Sequence, residues 1–257
     1  SGDLEVADFA LSISGGAAGV NATPASITKT SQSIWVLGLT LTGGTANGSE
    51  TLTVVPAAGT AIYDKAGNAA STSQSNNTAS LTEKILPTVT NVTSTTSGGS
   101  YKQGETIAIT VVFSEVVNVT DIPQLTLETG SSDAVVNYSS GTGSNTLTFN
   151  YTIGSGETSG DLDYKSTSSL ALNNGTIKDA ALNAATLTLA SPGAPNSLGA
   201  NTALIVDTSV PTISGVSLNA ANSQLTVTFA EDVYNTNGGS GDLEVADFAL
   251  SISGGAA

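Results

Sequence analysis

Apolar and polar residues alternate along this chain with a period of two. Ile107, Ile109, Val111 and Phe113 are interleaved with Ala108, Thr110 and Val112, and Leu147, Phe149, Tyr151 and Ile153 with Thr148, Asn150 and Thr152. Leu225, Val227 and Phe229 repeat the pattern with Thr226 and Thr228 between them. Successive side chains of a strand point to opposite faces, so each run predicts one buried face and one Thr- or Asn-rich face toward water. Clusters of Gly, Asn and Ser at 95–100, 139–145 and 235–241 separate the runs and read as turns. No stretch keeps a helical period for three turns. The pattern predicts an all-β chain of sandwich domains. Trp35, the sole tryptophan, shares its face with Leu37, Leu39 and Leu41, which favours core packing over a sugar-stacking platform.

A repeat organises the chain. Residues 1–18, SGDLEVADFALSISGGAA, recur without a change at 240–257, an offset of 239 residues. Surface positions drift when only the fold is under constraint, so the identity points to a recently duplicated tandem unit, of which this chain is one copy plus the opening of the next. A weaker similarity divides the unit. Leu86–Val92 resembles Val210–Val216, Ile109–Glu115 resembles Leu225–Glu231, and Ala61–Ala70 resembles Thr176–Ala185. Spacings of about 115–124 residues match one sandwich domain. The expected organisation is therefore 1–85, the later part of a split domain; 86–208, a complete domain; and 209–257, the first strands of the next.

Composition narrows the chemistry. Histidine, cysteine, methionine and arginine are absent, and six lysines face 21 acidic residues for a net charge of −15. No imidazole base, thiolate nucleophile, Cys/His zinc site or bidentate Arg clamp can be built. Carboxylate-only glycoside hydrolysis stays chemically open. A nucleic-acid interface needs a basic patch that six lysines in an acidic field do not supply. With 39% hydrophobic residues the chain is too apolar for disorder. It has no apolar run of 18 residues, so no membrane insertion is expected, and its first residues do not read as a signal peptide. Ser and Thr make up about 28% of the chain, and with the acidity and lack of cysteine this fits a bacterial surface protein better than a disulfide-stapled domain.

Three stretches resemble bacterial Ig-like or cadherin-like repeats: Tyr101–Val117, Pro123–Gly130 and Gly160–Tyr164. The Phe-Ser-Glu and Ile-Tyr-Asp-x-Ala-Gly-Asn motifs, with Val227–Ser253 and Leu37–Asn77, are similar to repeats of very large surface proteins such as flavobacterial gliding-motility adhesins. The resemblance covers essentially the whole chain. It implies an elongated array of Ig-like β-sandwich domains in a secreted, surface-attached filament. Its partners would be neighbouring identical repeats and, at a distal tip, a surface or glycan ligand. One departure stands out: Leu182 occupies the place of Gly67 in the second motif, which puts a shared left-handed turn in question.

Carboxylates are the one abundant polar chemistry. Asp161 and Asp163 lie two apart in a predicted strand, about 7 Å apart on one face. Asp64 and Asp179 begin tight turns, Glu115 and Glu231 end core strands, and Glu83 and Asp207 precede the Pro-led junctions. If these ends meet at domain junctions, their oxygens suit calcium, which takes 6–8 such ligands. The competing reading makes them turn caps and solvated charges. For function, a structural stalk stands first, because tandem copies suit length and avidity rather than turnover. A carbohydrate- or protein-binding Ig-like module is the alternative. No enzyme is expected.

Overall fold

The computed structural model describes residues 3–252; Ser1, Gly2 and residues 253–257, which belong to the two copies of the repeated string, lie outside the described residues. The chain is all-β. Among the described residues the helical elements are a four-residue helix, Leu198–Asn201, capped by the Ser197 side chain, and two three-residue 3-10 turns. None is long and apolar enough to cross a membrane.

Seven short strands form the N-terminal part: β1 (Phe9–Ser14), β2 (Ala18–Val20), β3 (Ser26–Lys29), β4 (Trp35–Gly38), β5 (Leu41–Gly43), β6 (Thr51–Pro56) and β7 (Thr78–Ser80). β6 lies between β1 and β7, with Leu11 opposite Val54. β3 pairs β4 and β2 pairs β5. Burial is shallow here. Leu11 is 5% exposed, but Leu39 and Leu41 are 43% and 48% exposed, and Trp35 and Leu37 are only half-buried. The core face expected for Trp35 is present without a full cover.

Nine strands build the middle: β8 (Val89–Ser94), β9 (Gly99–Tyr101), β10 (Thr106–Thr120), β11 (Gln124–Leu127), β12 (Ala134–Ser140), β13 (Ser144–Thr152), β14 (Leu170–Ala171), β15 (Thr176–Lys178) and β16 (Leu204–Val206). The long strand β10 carries β13 on one edge and β8 on the other, so Val111 faces both Leu147 and Val92. β12 and β11 extend the sheet beyond β13, and β16 runs parallel to β9. The alternation read from the sequence decides what is buried: Ile107, Ile109, Val111, Leu147 and Phe149 are fully buried, while Thr106 and Thr152 join hydroxyls across the outer face at 3.1 Å. Among the described residues every member of the hydrophobic core cluster lies between Val92 and Val206.

Two strands follow, β17 (Ile213–Leu218) and β18 (Leu225–Phe229). Their ladder repeats that of β8 and β10. Val227 faces Val216 as Val111 faces Val92, and Phe229 faces Ile213 as Phe113 faces Val89, with a register shift beside the aromatic residue in both ladders. Equivalent backbone does not bring equivalent burial. Val92 and Ile109 are fully buried, but Val216 and Leu225 are 62% and 44% exposed.

This contrast sets one expectation. Phe113→Ala should lower the unfolding free energy of the middle part by about 3–5 kcal/mol, the usual cost of emptying a buried aromatic site. Phe229→Ala, at the matching register of an uncovered hairpin, should cost less than about 1 kcal/mol in dilute solution, since little packing is lost there. Denaturant titration of both variants reads the difference; equal losses would mean that the two hairpins are equally enclosed.

Candidate functional site

The eight carboxylates singled out in the sequence fall at five places. Three converge where the N-terminal part joins the middle: Glu83 in the connecting segment, Glu115 on β10, and Asp179 just after β15. The turn Asp179–Asn183 organises them. Asn183 donates its backbone N–H to Asp179 Oδ1 and its side-chain Nδ2 to Asp179 Oδ2, both at 2.8 Å. The same Nδ2 lies 2.5 Å from Glu83 Oε2 and 3.3 Å from the carbonyls of Glu83 and Ile85. One amide thus ties the turn to the connecting segment. Thr186 N–H adds a bond to the Pro87 carbonyl at 2.8 Å, and Lys84 N–H reaches back to Ala46 O at 2.8 Å.

Charge at this junction is uneven. Asp179 is 3% exposed, and burial alone would raise its pKa; the hydrogen bonds from Asn183, with Glu83 and Ala181 contributing, outweigh burial and hold it below the usual value. Among the described residues Glu115 has no such donors. Burial, and then the charges of Asp179 and Glu83, push its carboxyl above the usual range.

Asp64 repeats the Asp179 turn. Its Oδ1 accepts from Ala66 N and Asn68 N at 2.9 and 2.8 Å, and its Oδ2 from Asn68 Nδ2 at 2.7 Å. These bonds, led by the Asn68 side chain, lower its pKa. The left-handed position is shared despite the change of residue: Gly67 has φ 89° and Leu182 has φ 70°. Leu182 is 74% exposed, so its side chain gains little packing to set against the backbone strain.

Asp161 and Asp163 lie in an irregular segment with isolated bridges at Ser159 and Tyr164, not in the regular strand the alternation predicted. Both carboxylates nevertheless approach Gly199, where a Cβ would stand 3.2 Å from Asp163 Oδ2 and 3.3 Å from Asp161 Oδ2. Asp163 is spent on backbone, accepting from Tyr164 N at 2.8 Å and Gly193 N at 2.9 Å. Asp207 follows β16 and caps Ser209 N at 2.9 Å. Glu231 stands half-buried after β18, apart from the others. Among the described residues no group of three acidic side chains is placed to hold a metal ion. The turns at Asp64 and Asp179 have the geometry of hydrogen-bonded caps, the alternative weighed above.

The most enclosed carboxylate was not singled out. Glu50 is fully buried and accepts from four backbone N–H groups: Ala17 at 2.9 Å, Ala18 at 3.2 Å, Asn47 at 3.0 Å and Gly48 at 3.0 Å. Burial opposes its ionised form, and the backbone donors, Ala18 and Ala17 foremost, prevail and lower its pKa. It pins the β1–β2 turn against the turn before β6. The position leaves no room at Gly16, where a Cβ would stand 2.0 Å from Glu50 Oε1. The available signal, a Gly-Gly pair and a Gly-Ser-Glu before a strand, marks two turns without joining them.

No family model matches this chain, and neither the curated proteins nor the solved structures contain a match to it.

Two outcomes follow from the geometry. Leu182→Gly should stabilise by about 0.5–1 kcal/mol, since relief of left-handed strain exceeds the added freedom of the unfolded chain; a lower thermal midpoint would show that the leucine contributes packing. A carboxyl whose folded pKa is raised contributes stability below its unfolded pKa that is lost as pH rises through the folded pKa. Glu115→Gln should therefore raise stability near neutral pH by up to about 1 kcal/mol and flatten the pH profile just above the ordinary glutamate range. Thermal unfolding across pH reads both effects.

Proposed function

We propose that this chain is a structural repeat segment of a long extracellular adhesin filament on a bacterial cell surface, built from end-to-end Ig-like β-sandwich domains. The observation that carries the reading is the 18-residue string repeated at an offset of 239 residues. A catalytic or ligand-binding unit gains nothing from near-identical tandem copies that a stalk does not gain more directly, in reach.

The geometry of the middle part supports it. The chain comes in at Val89, opposite Phe113, and leaves at Val206, beside Tyr101, whose carbonyl accepts from Asp207 N at 3.0 Å. Phe113 stands seven residues along β10 from Thr106, about 23 Å at the rise of a strand, and Tyr101 precedes that first residue, so entry and exit are separated along the strand. Neighbours joined at opposite ends extend a string rather than fold it back. The connection before β8 is held on both sides, by Asn183 and Thr186 from the middle part and by Ala46 from the N-terminal part. Such a junction is semi-rigid. Outward threonines and a net charge of −15 keep the sides of the filament hydrated and mutually repelling. Adhesion then belongs to a distal tip, with identical neighbouring repeats as partners along the shaft.

Small-angle scattering on chains of one, two and three tandem units tests the reading. The maximum dimension should grow by a constant increment per unit. Growth of the radius of gyration with only about the 0.38 power of length, as for a compact globule, would overturn it.

A further inference from the structure

Three unfinished surfaces belong together. Among the described residues β18 is paired along one edge only, by β17, and β4 along one edge only, by β3. β5 likewise has β2 alone. All three carry apolar faces that are poorly covered. On the hairpin, Val216 is 62% exposed, and Leu225 and Val227 line an open apolar cleft of about 370 Å³ with Val245, Phe248 and Leu250. On the N-terminal part, Trp35 and Phe9 line a second cleft of about 390 Å³.

The middle part shows how such surfaces are closed. There β10 joins β8 to β13, with Ile109 opposite Phe149 and Val111 opposite Leu147, and Phe149 faces Tyr138 of β12 in turn. β17 and β18 repeat β8 and β10, bulge included. β4 and β5 repeat β13: Trp35, Leu37, Leu39 and Leu41 fall where Leu147, Phe149, Tyr151 and Ile153 fall, and Ile27 faces Leu37 as Tyr138 faces Phe149. Among the described residues, the second edge of the β13 equivalent and the second edge of the β10 equivalent lack partners.

We infer that the β17–β18 hairpin of one chain docks on the free β4–β5 edge of a second copy, β18 antiparallel to β4, with Leu225 opposite Leu37 and Val227 opposite Trp35. The inference rests on the reading of this chain as one unit of a repeat. The occupant is a second copy, not the chain's own hairpin. Along the chain the whole middle part lies between the two surfaces, entered at Val89 opposite Phe113 and left at Val206 beside Tyr101. Docking extends a sheet by backbone hydrogen bonds and sets specificity by alternate side chains. Because the contact is head-to-tail and does not close, separate chains assemble into filaments. The acceptor's Phe9 and Leu11 take the place against the hairpin that Phe248 and Leu250 hold in the donor. This follows from the identity of the two strings: Leu11 is covered at 5% exposure and Leu250 is open at 79%. Both copies are acidic, so screening by salt should favour the contact.

The chain has no cysteine, which makes cross-linking a clean test. Thr226 and Val36 are exposed, on the outer faces of β18 and β4, and become directly opposed in this register. Chains carrying Thr226→Cys mixed with chains carrying Val36→Cys should give a disulfide-linked dimer under mild oxidation. Thr226→Cys mixed with Thr40→Cys, about 13 Å out of register, should not. Sedimentation of the unaltered chain should show association that grows with concentration and salt, weakened more than about tenfold by Val227→Lys, which puts a charge in the buried rank. Three results would overturn the inference: a monomer at every concentration and salt, equal cross-linking in both mixtures, or an in-register disulfide formed only within single chains carrying both cysteines. If separate chains stay monomeric while covalent tandem chains remain extended in scattering, the stalk reading stands and the docking register falls.

Discussion

A strand paired along both edges and covered on one face is what completes this fold, and β10 is the strand that does so. Val111 meets Val92 on one side and Leu147 on the other, and all three are fully buried. Each such side chain contributes about 1.5–3 kcal/mol when removed from water, and the flanking ladders satisfy the backbone groups that burial would otherwise leave unpaired. Where the same strand has one neighbour, as in β18, the apolar residues keep their spacing and lose their cover. The core from Val92 to Val206 and the open surfaces on either side of it are one constraint, met and unmet.

The repeated string separates local from tertiary causes within one molecule. Glu5 and Glu244 both open a 3-10 turn with a reciprocal capping box, closed by Asp8 and Asp247, at N-cap φ of −113° and −112°. A capping box spans four residues, so its partners come with the sequence. The strand that follows does not. Phe9–Ser14 is a strand because β6 lies beside it, while Phe248–Ile252 pairs with no strand among the described residues. β structure is non-local: its hydrogen bonds are made with another segment or not at all.

The acidic residues follow the same division. Asp64 and Asp179 lie at the head of an Asp-x-x-x-Asn turn that their own Asn68 and Asn183 complete, and this was legible from the two copies of the motif. That Asn183 also reaches Glu83, a hundred positions earlier, was not. Nor was the burial of Glu50, whose donors come from two turns brought together by the pairing of β1 with β6. The strand expected at Asp161 and Asp163 is irregular because Ser159 and Leu162 bond instead to Val206 and Leu204, far along the chain.

By itself, the sequence determined the all-β class, the apolar faces of β10, β13 and β18, the turns, and the internal repeats, because a period of two, turn chemistry and self-similarity are carried by neighbouring residues. Only the tertiary structure decided which of these faces are closed. Leu147 and Trp35 occupy the same place in the pattern, yet one is fully buried and the other half-buried. The side chain records that a face is apolar. Whether that face is covered depends on a second strand brought beside it: Leu147 has Val111 of β10, 36 positions earlier in the chain, and among the described residues Trp35 has no such neighbour on its other edge.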